Sequence, residues 1–406
     1  MHIAFWSPAW PIEKFNNGII TYVHWMKREL ERQGHRVSVF TRELDGSVRD
    51  PTVYVVKGRS FWGRVRRRLS ASPPSNEQDI FNFSASIAAQ LRRVHRRHPI
   101  DIIEMEESFG WFADVGARID IPVLVKLHGP AFLSLVADEL TSSFGKEKVD
   151  REGRALRRSS AIISPSQRTL AQTVERYGLT AKYQRHIVNP LTLDSDTPLW
   201  HLKTCDRNTI LFVGRFDLRK GADIALKAFL LALRDRPDLK LIFVGPDNGL
   251  PMPDGRQLLF DAYCDMLFPK SLRGRVEYRG RLSNREISQL RTEAMVTLIA
   301  SRWENQGYTV LEAMYQGCPV ISTDAGGCPE SVINGVTGRL ARSEDPSDFA
   351  LQIRFMLEDP EGAEAMGQAA RQHVMVNHAA EKVATETLEI YREIISHHAR
   401  QCIRGM

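Results

Sequence analysis

The chain has 406 residues, enough for two or three domains, and 43% hydrophobic and 26% charged residues are the proportions of a globular protein. No apolar run approaches the roughly 20 residues of a membrane span, and the start, Met1-His2-Ile3-Ala4-Phe5-Trp6, lacks the regions of a secretory signal. The net charge of +6 is uneven: residues 1–200 carry 29 Lys+Arg against 22 Asp+Glu, residues 201–406 carry 26 against 27, so the first half suits an anionic partner.

Residues 3–5 read as a strand, 7–18 as a long loop, 19–33 as a helix and 36–41 as the next strand. The helix carries apolar residues at Ile19, Tyr22, Val23, Met26 and Leu30. Gly18 stands in the turn before it, and Asn17 can share the left-handed conformation of a glycine. Residues 61–69 (FWGRVRRRL) and 91–98 (LRRVHRRH) are basic. Phe61 and Trp62 beside Arg64, Arg66, Arg67 and Arg68 suit an anionic membrane surface; a solvated charged face fits the same residues. No zinc-finger or RNP-like motif accompanies them, so no nucleic acid is expected. Residues 70–76, with Pro73-Pro74, read as a mobile loop.

Residues 101–105 and 121–127 read as strands. The first ends in Glu104-Met105-Glu106-Glu107, the second in His128-Gly129-Pro130, and in a parallel sheet both ends face a ligand cleft. Carboxylate pairs serve glycoside hydrolysis, but Glu106 or Glu107 better suits an acceptor hydroxyl, or simply solvent. Residues 161–164 read as a strand, Gln167–Tyr177 as a helix, and 187–190 as a short final strand and turn. Asp194-Ser195-Asp196 has the DxD form of metal-diphosphate sites; in a Pro-containing linker it reads as linker, and no metal is expected. The five cysteines, Cys205, Cys264, Cys318, Cys328 and Cys402, form no CxxC pair and fit reduced thiols in a cytoplasm.

A second set of elements opens with a strand from residue 209, ending at Gly214 and Arg215. Arg219-Lys220-Gly221 then precedes a helix through 233 and a strand over 239–244. Arg215 and Lys220, at a strand end and a helix start, suit a clamp on a diphosphate and on charge growing on a leaving group; plain surface charge is the alternative. The Walker pattern GxxxxGK[ST] and GxGxxG are both absent, which disfavours a dehydrogenase. Residues 245–255 read as a loop and 276–280 as a strand, and Ser283-Asn284-Arg285-Glu286 has the capping-box form.

The densest stretch is 296–330. A strand over 296–300, a polar turn over 301–307, a helix over Tyr308–Gln316 stopped by Gly317, a strand over 318–322 and a Gly326-Gly327 turn form a parallel-sheet unit. Glu304 lies in the turn. The amides of Gly307, Tyr308 and Thr309 are left free by helix geometry and point at any anion, and Glu312 follows just inside. Carboxylates accept from hydroxyls, so an anion with hydroxyl-rich groups on both sides fits this site, as in a nucleotide sugar. A solvated loop charge and a dipole-stabilised helix charge are the alternatives. Helices are expected over 348–357 and 380–398.

E-x7-E from Glu304 to Glu312, followed by Ala313-Met314 and Gly317-Cys318-Pro319-Val320-Ile321, resembles the signature of the GT-B-fold retaining glycosyltransferases of the family-four type (glycosyl transferases group 1). The resemblance implies an α/β chain of two Rossmann-like domains facing across a cleft. An acceptor domain would span 1–194 and a donor domain 195–379, with the helix of 380–406 packing back on the first. It implies transfer from a nucleoside-diphosphate sugar to a hydroxyl acceptor with retention, without metal or cofactor. The acceptor would be a saccharide or lipid-linked glycan of cell-surface polysaccharide or glycoconjugate synthesis, in the cytoplasm or at the inner membrane face.

By the same resemblance Glu304 contacts the donor sugar and Glu312 the ribose. Gly307, Tyr308 and Thr309 supply amides, and Gly214, Arg215 and Lys220 meet the diphosphate. Gly18 brings loop amides to it, where an ordinary turn is the equal alternative. His128 lies beside the transferred sugar, where a structural histidine is the alternative, and Glu106 or Glu107 meets the acceptor. Two departures stand out: Asn305-Gln306 replaces a common Gly-aromatic pair, which bears on the sugar, and a single Gly18 stands where two glycines are common. The rival functions are a sugar-nucleotide epimerase or phosphorylase of the same fold, and a non-catalytic nucleotide-sugar-binding partner of another transferase.

Overall fold

The computed structural model describes residues 1–15, 17–58, 76–192 and 195–404, the side chains of 76–81 and 402–404 excepted. Phe61, Trp62, the run with Arg64, Arg66, Arg67 and Arg68, the Pro73-Pro74 loop and Asp194 lie outside the described residues. The chain divides into two units, Met1–Pro190 with Ala380–Met406, and Leu191–Ala379.

Unit 1 holds seven strands: β1 (His2–Trp10), β2 (Arg36–Leu44), β3 (Val53–Val55), β4 (Ile102–Glu106), β5 (Val123–Lys126), β6 (Ala161–Ser164) and β7 (Tyr183–His186). They form one sheet in the order β3-β2-β1-β4-β5-β6-β7, every pair parallel. β4 and β6 are buried at every position, the unbroken pattern of a parallel sheet covered on both faces. Three local expectations change. β1 runs on through Trp10, in register with Leu44 of β2, where a loop was expected from residue 7. Ser7 is fully buried there and its hydroxyl donates to the Ala9 carbonyl at 2.8 Å, which is how a polar residue fits inside the strand. Asn17 is not left-handed: at φ −150° it is the N-cap of the Gly18–Arg32 helix, its side chain accepting from the Ile19 amide. The last strand is Tyr183–His186, and none covers 187–190.

The Ala380–Arg404 helix belongs to this unit and buries Val383, Ala384, Leu388, Tyr391 and Ile394 on one side. Its Tyr391 hydroxyl donates to Glu104 Oε2 at 2.6 Å. Nearby the fully buried Lys126 donates to the Ile187 carbonyl at 3.0 Å and lies 4.4 Å from the Tyr22 ring. Burial raises the Glu104 pKa against the opposing pull of Lys126 and Tyr391, and burial pushes Lys126 down to about 7 against the pull of Glu104.

Unit 2 is built on β8 (Asp206–Val213), β9 (Lys240–Val244), β12 (Val276–Gly280), β13 (Ala294–Ile299), β14 (Val320–Thr323) and β15 (Arg339–Ala341), with a small ribbon of β10 (Leu250–Pro251) and β11 (Gln257–Leu258) inside the expected loop. The sheet order is β12-β9-β8-β13-β14-β15, all parallel, the 3-2-1-4-5-6 order of a dinucleotide fold. The expected capping box forms, with Ser283 and Glu286 bonded reciprocally.

Tyr391→Phe keeps the ring and removes the donor to a buried carboxylate. It is expected to lower stability by about 1–3 kcal/mol in urea unfolding; an unchanged midpoint would show that the last helix is not fastened at Glu104.

Candidate functional site

In unit 2 the strand order turns back between β8 and β13, which pair directly. Loops leaving two strands at such a point frame the ligand crevice of an open α/β sheet. Here they are 214–221 and 300–307. Lys220 Nζ forms an ion pair with Glu304 Oε1 across them, and the Ser301 hydroxyl donates to the same oxygen at 2.8 Å. Asp217 organises the first loop: Oδ1 accepts from the Lys220 amide at 2.8 Å and Oδ2 from Arg215 Nε at 2.6 Å. Arg302 fastens the second loop to the first. Its guanidinium takes both oxygens of Asp223, at 2.8 and 3.0 Å, and its amide donates to the Arg219 carbonyl at 3.0 Å.

Two glycines let these backbones approach. Gly221 is left-handed, with φ +66°, and a Cβ there would sit 1.8 Å from the Ala300 carbonyl oxygen. Gly326, with φ +60°, would place one 1.9 Å from the Glu304 carbonyl oxygen, which accepts from the Gly327 amide at 2.8 Å. Glu304 is thus gripped from three sides. Burial alone would raise its pKa; the charge of Lys220, with Arg219 and the Ser301 hydroxyl, outweighs burial and holds it below the ordinary value.

The Tyr308–Gln316 helix starts at Gly307 with no side chain capping it, so its first amides face outward from the same loop. Glu312, one turn in, accepts from Arg291 Nη2 at 2.6 Å. The structure therefore brings Lys220, Glu304 and Gly307 together, with Arg215 in the Lys220 loop and Glu312 further along the helix. Gly214 offers no amide, since its own donates to the Val244 carbonyl at 2.9 Å. Tyr308 is buried, and its hydroxyl has no hydrogen-bond partner among the described residues.

Unit 1 places its expected residues on the carboxyl ends of its strands. Gly18 follows β1 and Glu106 ends β4, at the β1–β4 switch point, and His128 follows β5. Glu107 departs from the expectation that it meets an acceptor. It is fully buried, and its two oxygens accept from the His128 and Gly129 amides at 2.8 and 2.6 Å, so it shapes the His128 turn instead. Glu106 is pushed up to about 7 by burial and then by Glu107. The His128 ring packs edge-on to Tyr22, and burial, then Lys126, pushes it down to about 3, so it is neutral at pH 7. The second basic run leaves Arg92, Arg93, Arg96 and Arg97 exposed where the Asn76–His95 helix leads into β4, toward the opposite end of that strand from Glu106. The four described cysteines are free, and no described helix is long and apolar enough to cross a membrane.

Arg291, Arg302, Asp217 and Asp223 were not singled out from the sequence. Only Arg291 leaves a trace there: with Ile287, Leu290 and Ala294 it lies on the apolar stripe of its helix, where a charge needs a reason.

Two family models match the chain: "Glycosyltransferase Family 4" over residues 16–194 and "Glycosyl transferases group 1" over residues 201–373. Glycogen synthase of Mycobacterium tuberculosis is 30% identical over 397 residues, 92% of this chain and 90% of that protein. D-inositol 3-phosphate glycosyltransferase of Streptomyces scabiei is 24% identical over 423 residues, 96% and 89% of the two chains. Among solved structures, sucrose-phosphate synthase from Thermosynechococcus elongatus superposes with a TM-score of 0.75 at 20% identity, covering 98% of this chain and 99% of its own. Anabaena HepE in complex with UDP-glucose gives 0.69 at 17% identity, covering 97% and 100%. With two Rossmann-like parallel sheets and matches along both, the chain belongs to glycosyltransferase family 4 and is a glycosyltransferase of GT-B fold.

Proposed function

We propose that the chain moves a sugar from a nucleoside-diphosphate sugar to a hydroxyl acceptor with retention of anomeric configuration. One observation carries this reading: the Lys220–Glu304 pair stands beside the uncapped start of the Tyr308 helix. A cation and free amides suit a diphosphate, and a carboxylate held ionised suits sugar hydroxyls. Arg215 and Lys220 would stabilise the departing diphosphate, Glu304 would hold the sugar and Glu312 the ribose. The amides of Gly307, Tyr308 and Thr309 complete the donor set. Because these cations supply positive charge, no metal is assigned a role. HepE is described in complex with UDP and with UDP-glucose, which supports a uridine-diphosphate donor.

In unit 1 we assign Glu106 to a hydroxyl of a saccharide or lipid-linked acceptor. His128, whose pKa burial and then Lys126 push down, is assigned hydrogen bonding to a sugar hydroxyl as a neutral ring. Contact with an anionic membrane is proposed through Arg64, Arg66, Arg67 and Arg68.

Four outcomes are expected. In a thermal-shift panel of UDP-, GDP- and ADP-sugars, at least one raises Tm, because a ligand bound only by the folded state stabilises it. With that donor, an acceptor hydroxyl raises nucleotide release well above slow hydrolysis, EDTA leaves the rate unchanged, and the anomeric proton of the product keeps the donor's configuration; an inverted product would remove the retaining reading. Lys220→Ala lowers kcat by about 3 kcal/mol of transition-state stabilisation, the size seen for single charge donors, and near wild-type turnover would end its assigned role. The protein co-sediments with anionic liposomes at low salt; failure to do so would remove the membrane contact.

A further inference from the structure

The helix Asn284–Glu293 buries one side of itself, and Arg291 lies on that side with 3% of its side chain exposed. A guanidinium taken out of water is costly, and here Nε has no partner among the described residues while the two terminal nitrogens are met. Arg291 Nη2 donates to Glu312 Oε2 at 2.6 Å, and Nη1 to Gln316 Oε1 at 3.3 Å. Glu312 and Gln316 stand four residues apart on the Tyr308–Gln316 helix, hence on one face, and the planar fork of arginine spans them.

The amide of Gln316 has one orientation open to it. Its Nε2 donates to the carbonyls of Pro198 and Ser288, each at 2.9 Å. Carbonyls only accept, so the Oε1 of this fully buried side chain must be the atom that faces Arg291. Orientation thus passes from two backbone carbonyls through Gln316 to Arg291, and from Arg291 to one oxygen of Glu312. Glu312 is the outermost member, with 24% of its side chain accessible. A carboxylate pinned at one oxygen offers the rest of its acceptor capacity in a set direction, whereas an unpinned one samples several rotamers.

We propose that Arg291, itself held by Gln316, is the positioning residue that makes Glu312 a reader of the vicinal ribose hydroxyls, and so separates ribonucleotides from deoxyribonucleotides. This rests on the assignment of Glu312 to the ribose. A lysine cannot substitute fully, because a single ammonium cannot satisfy Glu312 and Gln316 in the same plane.

The test is isothermal titration of UDP, GDP and ADP, and of their 2′-deoxy and 3′-deoxy counterparts, into wild type, Arg291→Met, Arg291→Lys and Gln316→Leu. Wild type is expected to prefer the ribo form of the nucleotide it binds. Arg291→Met should reduce that preference by about tenfold, equivalent to about 1.4 kcal/mol, with Arg291→Lys in between. In turnover the loss should appear in KM for the donor before kcat. Gln316→Leu loosens the arginine without removing a charge and covers the case in which Arg291→Met does not fold. An undiminished ribo preference in folded Arg291→Met, or in Gln316→Leu if that variant is the one that folds, overturns the inference. Nucleotide binding by wild type without any ribo preference overturns it while leaving the donor reading standing. Failure of wild type to bind any of these nucleotides overturns both.

Discussion

The ion pair between Lys220 and Glu304 is the constraint around which unit 2 is arranged. Its two side chains are 26% and 11% exposed, so most of the hydration of both charges is lost. Such a pair adds little net stability, because desolvation cancels much of the attraction; what it does enforce is geometry, since either charge left alone would be costly. The surroundings meet that demand. Ser301 adds a donor to Glu304, and Asp217 fixes the backbone of Lys220 while holding Arg215. Arg302 joins the same two loops a second time through the Arg219 carbonyl, and reaches Asp223 at the start of the helix that follows. In the proposed reaction an arriving diphosphate competes with Glu304 for Lys220, and the carboxylate oxygen it releases becomes an acceptor for sugar hydroxyls.

Unit 1 uses buried carboxylates differently. Glu107 and Glu152 accept from the amides of His128, Gly129 and Ala131, so the loop after β5 is shaped by acids from below. Burial, and then Glu107, push Glu152 up to about 8. A loop whose amides are already occupied is a poor anion site, which agrees with giving the diphosphate to unit 2. What unit 1 keeps for a ligand is a neutral imidazole and, in Glu106, a carboxyl near neutrality in its titration.

Local chemistry was the legible part of the sequence. The Tyr308–Gln316 helix and its glycine stop, the β12 strand and the Ser283 capping box are all where turn and capping signals put them, because those signals act within a few residues. The misreadings arose where long-range burial overrides composition. Ser7 and Pro8 look like loop residues but lie inside a strand covered on both faces. The Pro360–Asn377 helix is not legible in the sequence although Asp359 caps it: its buried stripe is Ala363, Gly367, Ala370 and Val374, too small to register as apolar periodicity. The Glu104–Tyr391 bond joins positions 287 residues apart, and no local pattern announces it. Within the candidate site the E-x7-E spacing marked the two carboxylates and the loop pattern marked Lys220, which holds Glu304, while Arg291, which holds Glu312, comes from another element and no local pattern ties it to that carboxylate.

That each carboxylate has a basic partner bears on the chemistry proposed. A double displacement needs a carboxylate free to approach the anomeric carbon and later leave it. Glu304 is engaged by Lys220 and Ser301, and Glu312 by Arg291. Carboxylates so held serve better as hydrogen-bond acceptors than as nucleophiles, because attack would first have to break a charge-assisted bond in a partly dry site. Removing the acceptor proton then falls to another base. His128, pushed down to about 3, is too weak a base to take up and hold a proton near neutral pH. In the proposed transfer the departing phosphate can serve, since its oxygens gain charge as the glycosidic bond lengthens, and Glu106, pushed up to about 7, is a second base for an acceptor hydroxyl. The phosphate would suit the proposed retention through a front-side route, in which it takes the proton while Lys220 and Arg215 balance the charge it acquires.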